Sequence, residues 1–159
     1  MLMDKFLKLG LSEEVLKSLV GLGIEEPTDI QEKAIPEILN GKNVIGKAET
    51  GTGKTLAYLL PIIEKIDDSK NEMQAIILSP THELGVQINN VLNDLKRGLG
   101  KKITSTTLVG SGNIKRQMEK LKNKPHILVG TKGRILELIN KKKITTNTIK
   151  TIVIDEGDK

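Results

Sequence analysis

The chain has 159 residues, 37% of them hydrophobic and 28% charged, and it contains no cysteine. This length is typical of one globular domain, and the lack of cysteine excludes a disulfide framework and a cysteine-based zinc site and favours a reducing, cytoplasmic setting. No apolar run approaches the ~18 residues of a membrane span, so no membrane contact is expected.

The net charge of +5 is unevenly distributed along the chain. The segment from Lys96 to Lys150 contains 15 basic and two acidic residues, so the remainder is acidic. Such a segment is typical of proteins that bind a polyanion, although solvated lysines on helices give the same count. Phe6 and Tyr58 are the only aromatic residues, which excludes a base-stacking platform of several rings. An RNA partner would therefore be held mainly through its backbone.

Two helices are predicted before the first strand. Ser12, followed by two glutamates, starts the first, which ends near Gly21. Thr28 is a plausible N-cap of the second, and Gln31 occupies the capping-box position.

The rest of the chain alternates short β-branched runs with segments of helical periodicity. Strands are predicted at 43–47, 74–79, 103–109, 126–129 and 151–154, and helices at 54–66, 83–95, 114–121 and 134–139. This alternation predicts an α/β domain with a mostly parallel sheet and right-handed crossovers.

Unusual residues follow the carboxyl end of each predicted strand, in the sequences AETGTGKT, SPTHELG, VGSGN, GTKGR and DEGD. The carboxyl ends of parallel strands share one edge of the sheet, where ligands bind. The pattern therefore predicts a ligand site along that edge.

The first of these clusters is typical of a phosphate-binding loop with alanine in place of its opening glycine. In such a loop backbone N–H groups and a helix N-terminus face phosphate oxygens; Lys54 would reach the β and γ phosphates and Thr55 would ligate Mg²⁺. An ordinary Gly-Thr-Gly turn is the alternative. The residues of this predicted nucleotide site are Ala48, Glu49, Thr50, Gly51, Thr52, Gly53, Lys54 and Thr55.

Two acidic residues directly follow the last predicted strand. Asp155 would hold Mg²⁺ opposite Thr55, and Glu156 would orient and deprotonate the attacking water, so Lys54, Asp155 and Glu156 are the catalytic candidates. A solvated loop start is the alternative.

Taken together, the motifs resemble those of the first RecA-like domain of DEAD-box ATP-dependent RNA helicases. Phe6 with residues 23–31 is similar to the adenine-reading Q motif, 48–55 to motif I, 80–84 to motif Ia, 110–117 to the GG segment, 131–134 to motif Ib, and 155–158 to the box that names the family. These motifs occur in the family's order over nearly the whole chain.

The resemblance implies roles for individual residues. Gln31 would form hydrogen bonds with the edge of the adenine base, Phe6 would stack on the adenine ring, and Thr28 belongs to the same motif. The alternative roles are helix capping for Gln31 and a position in the hydrophobic core for Phe6. The candidate RNA-binding residues would hold the RNA backbone and would not recognise the base sequence. The alternative role for threonine and glycine residues that follow strands is helix capping. The candidate RNA-binding residues are Pro80, Thr81, His82, Gly110, Thr131, Gly133 and Arg134.

The resemblance also implies a RecA-like P-loop NTPase fold with helices on both faces of the sheet, in three αβα layers. One domain is expected over 1–159, with Q-motif helices at 1–40 and the sheet core at 41–159, its C-terminal part missing. The expected ligands are ATP, Mg²⁺ and RNA. A second RecA-like domain, missing here, would supply arginines and half of the RNA cleft. This chain alone would therefore bind nucleotide but barely hydrolyse it. It is expected to be a monomer.

The chain departs from the family pattern at several positions. The family usually has Arg at 82, Ala at 85, Gly at 111, Pro at 132 and Ala at 157, where this chain has His82, Gly85, Ser111, Lys132 and Gly157. Most departures concern the RNA side, so a drifted helicase with weak unwinding, or a non-catalytic nucleotide-gated RNA-binding module, is the alternative. A small-molecule kinase is disfavoured because it would leave Gln31 and residues 131–134 without a role.

Overall fold

The computed structural model describes residues 3–48 and 53–155. The chain divides into two compact units, the first made of residues 1–66 and 92–102 and the second of residues 67–91 and 103–159. In the described part of the chain, no helix has the length and apolar character that crossing a bilayer requires. The prediction of one domain over the whole chain stays a prediction.

The first unit contains four helices before residue 66, namely α1 (Asp4–Lys8), α2 (Glu13–Val20), α3 (Asp29–Leu39) and α4 (Lys54–Lys65). Both predicted N-caps are confirmed: the Ser12 hydroxyl accepts a bond from the Val15 N–H, and Thr28 forms a complete capping box at the start of α3. Helix α1, which buries Phe6, was not predicted as a separate element. Helix α3 packs against α4.

The two ends of α4 are stabilised differently. Its N-cap is Gly53, which has no side chain with which to cap the first turn. At the other end the ammonium of Lys101 donates to the carbonyl oxygens of Ile63, Glu64 and Ile66 at 3.0, 3.0 and 2.9 Å. A cation at the carboxyl end of a helix complements the helix dipole and satisfies carbonyls that have no partner within the helix.

The strand predicted at 43–47 was wrong. Residues 42–48 have no regular secondary structure, and the side chain of Ile45 is 92% exposed. The β-branched composition of this run favours a strand, but a strand is stable only when a neighbouring strand satisfies its backbone groups. Among the described residues, no strand pairs with this segment.

The second unit is built on a four-stranded sheet. Its strands are β1 (Ala75–Ser79), β2 (Ser105–Leu108), β3 (Ile127–Thr131) and β4 (Thr151–Ile154). All pairs are parallel and the spatial order is β2-β3-β1-β4. Four of the five predicted strands and the α/β class are therefore confirmed.

Helices follow the first three strands of this sheet. They are α5 (His82–Gly98), which begins in the second unit and ends in the first, α6 (Ile114–Leu121) and α7 (Lys132–Asn140). Helix α6 packs on β2 and α7 packs on β3. Their apolar faces and the strands form one buried cluster, whose members are Met73, Ile76, Leu108, Leu121, Leu128, Ile135, Leu138 and Ile144.

His126 has a structural position in this unit. Its Nδ1 accepts a bond from the Thr104 N–H at 3.1 Å, so the proton is on Nε2, which lies 2.9 Å from the Lys70 carbonyl oxygen. With 5% of its surface exposed, the ring is a satisfied part of the core.

Candidate functional site

The carboxyl edge of the sheet gathers most of the predicted RNA-binding residues. The four strands are parallel, so the segments that follow Ser79, Leu108, Thr131 and Ile154 leave the sheet at the same edge. The register supports this, because Ser79 is paired with Thr131 and Leu108 with Gly130. The predicted clustering of these segments therefore holds within the second unit.

Gln31 connects the start of α3 to the start of α4 within the first unit. Its Oε1 accepts a bond from the Thr28 N–H at 3.0 Å, and its Nε2 donates to the Gly53 carbonyl oxygen at 3.0 Å. The carboxamide is therefore engaged at both ends, and the residue is 2% exposed. The capping role that the sequence left as an alternative is confirmed, while the adenine contact stays a prediction.

Gly53 occupies a position that suits only glycine. Its φ of +86° lies in the left-handed region, and a Cβ at this site would lie 2.5 Å from Gln31 Nε2 and 3.1 Å from Thr28 Oγ1. The close approach of α3 and the left-handed conformation of Gly53 itself thus both require a residue without a Cβ.

The other predicted nucleotide residues are only partly described. Ala48, Lys54 and Thr55 are half-buried, and the last two occupy the first turn of α4, which contains no acidic residue. Phe6 is completely buried, which fits the core position that the sequence left as its alternative. The predicted site residues Glu49, Thr50, Gly51, Thr52 and Glu156 lie outside the described residues, as does Gly157.

Most of the predicted RNA-binding residues are exposed at the carboxyl edge. The Thr81 hydroxyl accepts a hydrogen bond from the Leu84 N–H at 3.1 Å. Thr81 therefore caps α5, which is the alternative role that the sequence left open. Thr131 is the N-cap of α7 but makes no side-chain capping bond, which leaves its hydroxyl out of the helix. The exposed members of the set are Pro80, Thr81, His82, Gly110 and Gly133.

Arg134 is directed into the protein rather than toward solvent. Its guanidinium donates from NH2 to the Gly110 carbonyl oxygen at 2.8 Å and from NH1 to the Gly112 carbonyl oxygen at 3.2 Å and to Gln117 Oε1 at 2.8 Å. Its Nε lies 3.2 Å from a Glu137 carboxylate oxygen, and its side chain is 11% exposed. In this structure Arg134 positions the loop after β2, and its contact with RNA stays a prediction.

Two residues outside the predicted RNA-binding set, Ser111 and Gln117, lie at the same edge. Gln117 donates to the Val109 carbonyl oxygen at 3.0 Å and so supports the loop that Arg134 holds. Ser111 lies with its Oγ 2.5 Å from Nδ1 of His82. The signal that could have singled out Ser111 was present in the sequence, since His82 and Ser111 both depart from the family pattern.

Asp155 follows β4 directly and is 7% exposed. Its N–H donates to the Leu78 carbonyl oxygen at 2.9 Å, which extends the pairing of β4 with β1 by one residue. The described residues contain no group of three acidic or histidine side chains that could hold a metal ion. The donors predicted for Mg²⁺, a carboxylate and a threonine hydroxyl, are of the oxygen type that this ion prefers.

The basic residues of 96–150 are not concentrated at the carboxyl edge. Several line a cleft of about 570 Å³ over Met73 and Leu121, formed by one face of α6 along its length and by segments that precede strands at the amino edge. Its basic residues are Lys115, Lys122, Lys124, Lys142 and Lys143. Lysines therefore lie near both edges of the sheet, and the count of basic residues in the sequence could not show how they divide between the two edges.

The chain has close relatives of known family. It is 44% identical over 156 residues to a DEAD-box ATP-dependent RNA helicase CshA of Bacillus cereus, and 48% identical over 154 residues to the ATP-dependent RNA helicase CshA of Limosilactobacillus reuteri. These alignments cover 98% and 97% of the chain but 29% and 31% of those relatives. The chain thus spans about a third of their length.

Solved structures agree with this result. A DEAD box protein from the hyperthermophile Methanococcus jannaschii superimposes with a TM-score of 0.86 at 39% identity, over 93% of this chain and 40% of that one. S. cerevisiae Dbp5 bound to RNA and ADP BeF3 gives a TM-score of 0.84 at 34% identity, over 96% of this chain and 38% of that one. The family model described as DEAD/DEAH box helicase matches residues 28–159. On this evidence, the chain belongs to the DEAD/DEAH box helicase family.

Proposed function

We propose that this chain is the nucleotide-binding RecA-like domain of an ATP-dependent RNA helicase. In the whole protein, ATP binding and hydrolysis would be coupled to RNA binding and to local unwinding of a duplex. The relatives named above as RNA helicases, and the Dbp5 structure with RNA and ADP BeF3, support this proposal.

The observation that carries the nucleotide part is the hydrogen bond from Gln31 Nε2 to the Gly53 carbonyl oxygen. It joins the segment proposed to read adenine to the first residue before α4, so the base end and the phosphate end of a nucleotide would be held by one hydrogen-bonded unit. The N-cap residue Gly53 has no side chain that could occupy the N–H groups of the first turn of α4, and N–H groups at a helix N-terminus attract phosphate oxygens.

Lys54 and Thr55 are the first two residues of α4, and the proposal gives each of them a role. Lys54 would neutralise the phosphates, and Thr55 and Asp155 would provide oxygen ligands for Mg²⁺, which would reduce the negative charge on the triphosphate. Glu156 would orient the attacking water and accept its proton.

The chain by itself is proposed to hydrolyse ATP slowly. An arginine placed on the transferring phosphoryl group contributes about 10³ to 10⁵ in rate in enzymes of this type. The chain has three arginines. Arg97 pairs with Asp94 at 2.8 Å, Arg134 holds the loop after β2, and Arg116 is an exposed residue of α6. The charge needed in the transition state would therefore come from a second RecA-like domain.

The RNA part of the proposal uses the carboxyl edge of the second unit. Thr81, Gly110, Thr131 and Gly133 would hold phosphates with hydroxyl and N–H groups. A Cβ added at Gly110 or Gly133 would have no atom of another segment within 4 Å, so a backbone phosphate could approach closely there. Contacts of this kind position RNA without reading its sequence.

The nucleotide site is tested by Lys54→Ala, with ADP binding measured by calorimetry. The expected result is loss of binding with an unchanged circular dichroism spectrum, because the substitution removes a charge but no core contact. Lys65→Ala, at the opposite end of the same helix, is the matched control and should bind ADP like the wild type. Unchanged ADP affinity in Lys54→Ala would contradict the phosphate-loop assignment.

A non-catalytic, nucleotide-gated RNA-binding module is the second candidate, favoured by the substitutions at the RNA edge. The two candidates differ in RNA-stimulated ATP turnover when a second RecA-like domain is supplied. Stimulation that Glu156→Gln abolishes supports the helicase, whereas wild-type protein without any stimulation supports the binding module.

A further inference from the structure

His82, the first residue of α5, and Ser111, in the loop before α6, connect segments that follow two strands that are not neighbours. His82 comes after β1 and Ser111 after β2, and β3 lies between these strands in the sheet. The distance of 2.5 Å between Ser111 Oγ and His82 Nδ1 is that of a short hydrogen bond. Both residues are exposed, so the bond lies on the surface proposed to meet RNA.

The loop that contains Ser111 is held from its other side by Arg134 and Gln117. Arg134 binds the carbonyl oxygens of Gly110 and Gly112, the two residues that flank Ser111. A carbonyl oxygen that faces a guanidinium does not face a phosphate, which it would repel. Gly112 is also confined, since a Cβ there would overlap Gln117 Nε2. Arg134 thus fixes the backbone of residues 110–112, and His82 binds the side chain of Ser111.

We propose that His82 is a positioning residue that, through its hydrogen bond to Ser111, holds the loop of residues 110–112 in the conformation that binds the RNA backbone. The proposal rests on the RNA-binding part of the proposed function. A segment with glycine on both sides of one residue loses much conformational entropy when it is ordered. A loop that is already ordered before RNA binds does not lose that entropy on binding, and its affinity is correspondingly higher.

The pair also accounts for two departures from the family pattern together. With glycine at 111 there is no hydroxyl for residue 82 to bind, and with arginine at 82 there is no ring nitrogen to pair with the Ser111 hydroxyl. In this chain a histidine and a serine occupy the two positions and contact each other. The two substitutions therefore act as one structural unit rather than as two separate losses of RNA contact.

The test is a double-mutant cycle on RNA affinity. His82→Ala, Ser111→Ala and the double variant are compared by fluorescence anisotropy with a labelled oligouridylate at constant low salt. Each single substitution should weaken binding about 2- to 10-fold, which corresponds to one hydrogen bond, and the double variant should be no weaker than either single one. His82→Asn, which can place an amide group near the position of Nδ1, should recover part of the loss.

Ser69→Ala is the matched control. The hydroxyl of Ser69 also makes an exposed 2.5 Å hydrogen bond, to Asp67 Oδ1, but Ser69 lies in the segment before β1. RNA affinity should not change in this variant. Multiplicative losses in the double variant, or a loss with His82→Ala but none with Ser111→Ala, would overturn the proposal and leave His82 as an independent RNA contact.

A measurement without RNA separates this proposal from the proposed function. In the purified chain, Ser111→Ala should shift the ¹⁵N resonance of His82 Nδ1, His82→Ala should shift the amide resonances of Gly110 and Gly112, and Ser69→Ala should shift neither. Unchanged resonances would overturn the positioning role even if RNA binds. Failure of the wild-type chain to bind RNA, with these shifts present, would instead contradict the proposed RNA-binding function.

Discussion

Gly53 and Gly41 have the same backbone conformation but different surroundings. Their φ angles are +86° and +80°, both in the left-handed region that side chains with a Cβ adopt at a cost. A Cβ at Gly53 would meet Gln31 and Thr28, whereas nothing lies within 4 Å of a Cβ at Gly41. The pair therefore separates the cost of backbone strain from the cost of displacing Gln31.

The first prediction uses this pair. Gly41→Ala should lower the free energy of unfolding by about 1 kcal/mol, the cost of the left-handed backbone, and should leave ADP affinity unchanged. Gly53→Ala should cost about 2 to 4 kcal/mol, because strain and a steric overlap add. It should also weaken ADP binding, since the bond between Gln31 and Gly53 would break. Urea unfolding and calorimetry measure the two quantities, and equal effects of both variants would contradict the prediction.

Gly85 illustrates a departure from the family pattern that the structure accounts for. A Cβ at this position of α5 would lie 2.9 Å from Ser79 Oγ, the hydroxyl that donates to the Thr81 carbonyl oxygen. The alanine usual in the family would not fit here without a shift of Ser79. Glycine at 85 therefore accommodates the serine at the end of β1.

At the level of elements, α2 and α3 begin with the same type of N-cap but differ in what the cap supports. The hydroxyls of Ser12 and Thr28 each accept a backbone N–H three residues on, at 3.4 Å. The Thr28 N–H additionally donates to the Gln31 side chain. Only the second cap is therefore connected to the residue that binds Gly53.

The second prediction follows from this difference. Ser12→Ala and Thr28→Val should each lower the free energy of unfolding by about 0.5 to 2 kcal/mol through loss of a cap. Thr28→Val alone should also lower ADP affinity, because a less well-held α3 terminus no longer positions the Gln31 carboxamide. A loss of ADP affinity in Ser12→Ala of the same size would show that general destabilisation, not Gln31, is responsible.

At the scale of the whole molecule, the positive charge of residues 96–150 divides between the two edges of the sheet. Lys132 is exposed at the start of α7, at the carboxyl edge. Lys143 lines the cleft formed by segments that precede the strands. Each phosphate contact that a lysine makes to single-stranded RNA adds about 0.7 to the slope of log K against log salt concentration.

The third prediction is that RNA binding by the chain weakens steeply with salt and is independent of sequence. We add Lys132 to the proposed interface as a phosphate contact, because it is exposed between Thr131 and Gly133 at the carboxyl edge. Lys132→Gln should therefore reduce the magnitude of the salt slope by about 0.7, and Lys143→Gln should leave the slope unchanged. The two variants have the same net charge, so a general electrostatic effect would change both equally. If only Lys143→Gln reduced the salt slope, the RNA-binding site would lie at the amino edge of the sheet and the prediction would be wrong.

The sequence was most informative where a pattern is local. The caps at Ser12 and Thr28 depend on residues within one helical turn, and the apolar runs at β1 to β3 reflect the burial of those strands. The apolar run at β4 also forms a strand, although Ile152 and Ile154 are 63% and 66% exposed. The run at 43–47 also contains β-branched residues, Val44 and Ile45, yet it forms no strand, because pairing depends on a partner that composition does not specify. Similarly, the small exposed surface of Arg134 could not be predicted from a motif that is expected to contact RNA.

The order of the motifs along the chain was sufficient to identify the family, because each motif is a short run of residue types whose spacing is set by phosphate and helix geometry. Contacts between residues far apart in sequence were decided only by the tertiary structure. The bonds of Gln31 to Gly53, of His82 to Ser111 and of Arg134 to Gly110 each join residues more than 20 positions apart. Whether such pairs meet depends on how strands order themselves in the sheet and how helices pack, and no local pattern in the chain contains that information.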